Sequence, residues 1–157
     1  MRILKFMNEM TGRIDMNEFA RKTGLSSVQI GQNMQELAKE GYLKKVGGGF
    51  TITAKGKSAV KVVESLPASL KFEFYFALGK PVGMSALSIK EFHDVVGNVD
   101  VVSLEFHVGR GDFENWLRNA VGDASLADDF VKIRKAELKG EDLKKAISKA
   151  VEEKYPV

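Results

Sequence analysis

The chain has 157 residues, 44% hydrophobic and 29% charged, with a formal net charge of +3. That composition excludes a disordered chain and a polytopic membrane protein, and the length suits one medium domain or two small ones. There are no cysteines and two histidines, which excludes disulfides, thiolate zinc sites and a cysteine nucleophile and speaks against an imidazole-rich metal site.

No stretch approaches the ~18 uninterrupted apolar residues of a membrane span. Behind the basic start, Lys5, Asn8 and Glu9 interrupt any signal-peptide core. We therefore expect a cytoplasmic protein with no membrane partner, metal or cofactor. Charge is uneven along the chain. Residues 1–66 hold 11 Lys and Arg against 6 Asp and Glu, a net +5, whereas residues 67–157 hold 13 against 15, a net −2. A polyanionic partner is thus expected to meet the front half.

In residues 1–66 apolar spacing predicts helices. Ile3, Leu4, Phe6, Met7 and Met10 form one apolar face that stops at Thr11-Gly12. Asp15 caps a second helix, with Glu18 placed to complete a capping box, and that helix ends at Thr23-Gly24. Ser26 caps a third, with Gln29 three residues on, a buried stripe of Ile30, Met34 and Leu37, and a stop at Gly41. Tyr42–Val46 and Phe50–Thr53 read as strands joined by Gly47-Gly48-Gly49. A fourth helix carries Ala59, Val60, Val62 and Val63 and stops before Pro67.

Several of these residues together resemble the winged helix-turn-helix family. Leu25-Ser26 opens the third helix, and Leu37-x-x-x-Gly41-Tyr42-Leu43 and Phe50-x-x-Thr53-x-x-Gly56 match segments at the end of that helix and the end of the wing. The resemblance covers residues 1–66 and implies duplex DNA as the partner, with the third helix in the major groove.

From Leu70 a second module begins, and we take 67–157 as its domain. Phe72, Phe74, Phe76 and Leu78 alternate with Lys71, Glu73, Tyr75 and Ala77 as a half-buried strand. Gly79-Lys80-Pro81 turns into a second strand over 82–87, and Ser88 with Glu91 opens a short helix ending at Gly97. Val101–Val108 alternates as a third strand. Three helices follow: one from Gly111 or Asp112 with Phe113, Trp116, Leu117, Ala120 and Val121 inward, one capped by Ser125, and one over 141–154 burying Leu143, Ile147 and Val151. The expected fold class is α+β, with a three-stranded sheet covered by helices on one face. The phrase Glu105-Phe106-His107-x-x-Arg110-Gly111-Asp112-Phe113-x-x-Trp116, followed by Gly122-Asp123, is similar to an uncharacterised domain family of archaea and bacteria. That resemblance, from about Phe72 to Val151, implies a fold unit and no assigned activity.

On the third helix, with Ile30, Met34 and Leu37 inward, the outer side is Val28, Gln32, Gln35 and Lys39, with Gly31 beside them leaving room for close approach. Ser27, Val28, Gly31 and Gln32 lie in the amino-terminal half, where base edges are met. Gln32 suits adenine and Val28 a thymine methyl. Lys44 and Lys45 on the hairpin and Lys22 on the second helix suit phosphates. Against this, the helix to Glu40 sets Lys39 against Glu36 and Glu40, a net −1, and DNA readers draw most of their affinity from phosphate neutralisation.

At Val108–Asp112 an arginine and free N–H groups could hold a phosphate or carboxylate. We instead read an Asp112 cap with Arg110 paired to a nearby acid. Glu73, Tyr75, Glu105 and His107 are expected on one polar sheet face, which admits acid–base or metal chemistry but reads more simply as a solvated surface, so no enzyme is expected. His93 reads as a surface residue. We expect a transcriptional regulator whose winged helix contacts double-stranded DNA and whose second domain serves dimerisation, partner contact or ligand sensing. A homodimer through the last helix is expected from the two-fold symmetry of DNA sites. The alternative is an interaction module whose winged helix docks a protein.

Overall fold

The computed structural model describes residues 1–10 and 15–157. It divides into two compact units, Met1–Lys61 and Val62–Val157. The expected stop at Thr11-Gly12 lies outside the described residues.

The first unit runs α1 (Arg2–Glu9), α2 (Met16–Thr23), α3 (Ser27–Lys39), β1 (Leu43–Val46), β2 (Gly49–Ile52) and α4 (Ala54–Val62), whose last residue falls in the second unit. Asp15 starts α2 by accepting from the N–H groups of Asn17 and Glu18 at 2.8 and 3.5 Å. Gly24, at φ 71°, ends it in the left-handed conformation. Ser26 and Gln29 form the reciprocal box at the start of α3, with N–H to side-chain distances of 3.3 and 3.0 Å. Between them these caps fix a short turn, so Phe19, Ile30 and Met34 meet Leu4, Phe6, Leu43 and Val60 in one core. Phe6 packs edge-on to Phe19, with ring centroids 4.5 Å apart.

The β1–β2 hairpin is antiparallel, pairing Leu43 with Ile52 and Val46 with Gly49. Its root is held by Thr53, whose N–H donates to the Tyr42 carbonyl at 3.0 Å. The Thr53 hydroxyl donates toward the Gly41 and Tyr42 carbonyls, 2.7 and 3.0 Å away, and accepts from the Gly56 N–H at 3.1 Å. At Gly56 the chains come so close that a β-carbon would stand 2.3 Å from the Tyr42 carbonyl oxygen and 2.6 Å from Ile52. Only glycine fits, which gives the Thr53-x-x-Gly56 spacing its physical reason.

The second unit contains a short 3-10 turn (Ala68–Leu70), β3 (Phe72–Ala77), β4 (Lys80–Ala86), α5 (Ile89–Asn98), α6 (Val101–Arg110), α7 (Asp112–Trp116), a π-helical turn (Leu117–Val121), α8 (Ala124–Lys135) and α9 (Gly140–Glu152). Its sheet is two-stranded among the described residues. The expected third strand over 101–108 is α6. Asp100 caps it, accepting from the Val102 N–H at 2.9 Å, and Gly111 at φ 71° closes it. Ser103, Leu104 and His107 are its buried face, at helical spacing, while Val102 is 52% exposed. The alternating pattern read as a strand therefore also satisfied a helix.

Smaller differences follow from capping. Asp123, not Ser125, caps α8, accepting from the Leu126 N–H at 2.9 Å. The same carboxylate accepts from Lys154 at 3.1 Å and from the Tyr155 hydroxyl, tying the end of the chain to α8. Burial pushes Asp123 up, but the bonds from Tyr155, Leu126 and Lys154 outweigh it and hold the carboxyl below its ordinary value. Ser88 caps α5 as expected, but Glu91 reaches back to the Leu87 N–H at 2.7 Å instead of the Ser88 N–H. The domain boundary falls ahead of Pro67, since Val62, Val63 and Leu66 join the second core. Leu143, Ile147 and Val151 of α9 are buried in that same core, so the stripe expected to meet a second copy is used up inside its own unit.

Replacing Gly56 by alanine forces the Tyr42 carbonyl or Ile52 to move. We expect the first unit to lose about 1–3 kcal/mol, measured by amide hydrogen exchange across residues 1–61 of the full chain. Unchanged protection there would refute the close-packing account.

Candidate functional site

Two regions gather the residues singled out by the sequence. The first is the outer face of α3 with the hairpin beyond it. Ile30 and Met34 are buried, and Ser27, Val28, Gln32, Gln35 and Lys39 are exposed, with Gly31 half-buried among them. Val28 is 67% exposed. Leu37 is only half-buried. Gln29 is engaged in the cap, and Asn33 donates to the Gln29 carbonyl at 2.8 Å.

Lys39, Lys44 and Lys45 are exposed and pair with no carboxylate among the described residues. Lys44 lies opposite Thr51, and Lys45 opposite Phe50. Because side chains alternate across a strand, the two lysines project from opposite faces of the hairpin rather than forming one patch. Lys22 is different. Its ammonium lies 3.9 Å from Glu18 and 5.7 Å from the Phe6 ring centre, so part of its charge is already matched.

The second region surrounds His107 in the second unit. The expected polar sheet face does not exist, because α6 replaces the third strand. Glu105 instead accepts from the Gly140 N–H at 2.9 Å. Glu73 lies 2.8 Å from Lys71 and accepts from the Tyr75 hydroxyl at 3.1 Å. His107 is 3% exposed and packs among Phe72, Phe74 and Phe113, with ring centroids 4.9, 5.9 and 5.4 Å away.

Its bonds fix its tautomer. The Tyr75 N–H lies 2.8 Å from Nε2 and can only donate, so Nε2 accepts and Nδ1 carries the proton. Nδ1 then donates to Asp112 Oδ2 at 2.8 Å. Burial pushes the imidazole below its ordinary pKa, against the upward pull of the Asp112 hydrogen bond and charge. A His–Asp pair of this kind resembles a catalytic dyad, but here no ring nitrogen is left to take a proton from a substrate.

The same Asp112 oxygen accepts from Arg110 Nε at 3.1 Å. The acid paired with Arg110 is thus Asp112 itself, which makes no cap bond to α7. Arg110 also lies over the Phe106 ring, 5.3 Å from its centre. Around this cluster opens a groove of about 570 Å³, walled by Phe72, Tyr75, Leu78 and Phe106 with Arg110 and Asn115 beside them. The groove has no counterpart in the sequence pattern, since its lining comes from β3, the turn after it, α6 and α7, and the alternation over 101–108 points to a strand where α6 stands. Its one local trace was the spacing of His107, Arg110 and Asp112. His93 sits 2.9 Å from Glu152, an exposed pair linking α5 to α9.

No described helix is long and apolar enough to cross a membrane. Comparison with protein-family models, with curated proteins and with solved structures finds no match to this chain.

His107 makes a sign-definite prediction. The unfolded chain binds a proton near pH 6.5, whereas the folded imidazole resists it until lower pH. Stability should therefore fall as pH drops below about 6.5, by at most about 1.4 kcal/mol per pH unit from this group. Urea unfolding followed by Trp116, the chain's single tryptophan, should show a shallower loss between pH 7.5 and 5.5 in His107→Gln, whose amide oxygen still accepts from Tyr75. Equal pH slopes would contradict the neutral, buried assignment.

Proposed function

We propose that residues 1–66 form a winged helix-turn-helix that binds duplex DNA, and that the chain acts as a transcriptional regulator. In this reading α3 enters the major groove and the β1–β2 hairpin is the wing. The observation that carries it is the outer face of α3, which leaves Ser27, Val28, Gln32, Gln35 and Lys39 exposed on a helix whose other side is buried. Gln32 would read adenine and Val28 a thymine methyl, with Gly31 allowing close approach. Lys39, Lys44 and Lys45, free of carboxylates, would neutralise phosphates. Two copies are expected on a palindromic site.

A second reading also has a specific observation behind it. Ser27–Glu40 has a net charge of −1, and Val28 is its most exposed apolar side chain. Both suit a helix that docks another protein. We propose no catalytic step, because the one buried imidazole has both nitrogens engaged.

Salt dependence separates the readings. For binding to random-sequence duplex, the slope of log affinity against log salt should be about one to two units shallower in the Lys44→Ala/Lys45→Ala double variant. Since the two lysines face opposite ways, a change near one would mean that a single face of the hairpin meets DNA. An unchanged slope would remove the hairpin from the interface, and the absence of any salt-dependent duplex binding by the native chain would favour protein docking.

A further inference from the structure

We propose that the groove beside His107 binds a small monocarboxylate with an apolar body, held by Arg110. The guanidinium is oriented by contacts within the chain. Its Nε donates to Asp112 at 3.1 Å, its central carbon lies 5.3 Å from the Phe106 ring centre, and Asp112 is itself anchored by the buried His107 at 2.8 Å. Its two terminal amino groups make no further hydrogen bond among the described residues, so a two-pronged donor stands unused at the edge of the groove. Two parallel N–H donors match the two oxygens of a carboxylate.

The rest of the groove matches the other end of such a molecule. Its walls are the rings of Phe72, Tyr75 and Phe106 and the side chain of Leu78, which is 74% exposed with nothing covering it. About 570 Å³ accommodates a ligand of one or two rings, and a mostly apolar cleft with few convergent polar groups is the usual form of a small-molecule site. Local charge disfavours a dianion more than a monoanion. Two carboxylates, Asp112 and Glu73, line the groove beside the Arg110 guanidinium, and Glu73 is paired with Lys71 at 2.8 Å. A monocarboxylate held by the two free prongs of Arg110 meets less repulsion there than a phosphate dianion would. This inference is independent of the DNA-binding reading, since it uses residues of the second unit alone.

The test is a titration of the full-length protein, followed by amide chemical shifts, with three probes: 2-naphthoate, phenylacetate and octanoate. We expect saturable shifts centred on Tyr75, Leu78, Phe106 and Asn115 with at least one of them. The alcohol analogue of the best probe should bind at least tenfold more weakly, and acetate, lacking the apolar body, should not saturate. Arg110→Gln, with folding checked by the Trp116 unfolding midpoint, should bind the acid at least tenfold more weakly. Arg110→Lys should recover only part of that loss, because it keeps the charge without the two-pronged geometry. If Arg110→Gln fails to fold, the acid-to-alcohol comparison on the native protein decides alone. The proposal is overturned if none of the three acids gives a saturable shift, if acid and alcohol bind equally, or if a folded Arg110→Gln binds like the native chain. It is also overturned if phenyl phosphate binds more tightly than every carboxylate.

Discussion

In residues 62–157 one imidazole joins the hairpin to the helices, and the placement of the neighbouring groups depends on it. The β3–β4 ladder is irregular on both sides of Tyr75, which faces Pro81 across the strands. The Tyr75 N–H therefore turns out of the ladder, and a buried N–H without a partner would cost about 1–3 kcal/mol. His107 supplies the acceptor. Having used Nε2 on the strand, the ring must carry its proton on Nδ1, and that proton holds Asp112. Asp112 in turn orients Arg110 over Phe106. One chain of hydrogen bonds thus runs from a bulged strand through α6 to the first residue of α7. The ring stays neutral because it sits among phenylalanines.

The first unit depends on a different kind of constraint, steric rather than polar. Where β2 leads into α4, the Gly56 backbone lies against the Tyr42 carbonyl with no room for a β-carbon. Thr53 satisfies the backbone on both sides of that contact. Lys55 adds a bond to the Glu40 carbonyl at 2.7 Å and lies 4.5 Å from the centre of the Tyr42 ring. Together these fix the root of the hairpin to the end of α3. If α3 and the hairpin meet one partner, this joint sets how they do so.

Local signals were legible in the sequence wherever a cap or a glycine set the structure. Ser26 with Gln29, Asp15, Gly24 and Ser88 all stand at helix ends as their residue types require. The reversal between the strands was also legible, because glycine is the residue that a tight turn favours, although the turn is Gly47-Gly48 alone and Gly49 already pairs with Val46 in β2. The misreading came at 101–108. Val102, Leu104, Phe106 and Val108 alternate, and three β-branched residues favour a strand. Yet Ser103, Leu104 and His107 are one helical face, and the deciding residues, Asp100 and Gly111, stand just outside the window. The error carried into function, since a strand there would have exposed His107 on a polar sheet face. The groove was beyond local reading for the same reason: its walls come from elements distant in the chain. The stripe of α9 was read correctly as apolar, but spacing alone does not say whether a stripe meets its own core or a second copy.

The most direct measurement of the central claim is amide chemical-shift mapping of the full-length protein during titration with a short random-sequence DNA duplex. The account predicts that the largest changes fall on Ser27 to Gln35 of α3 and on Lys44 and Lys45. Changes confined to residues 62–157, or no changes at low salt, would contradict it.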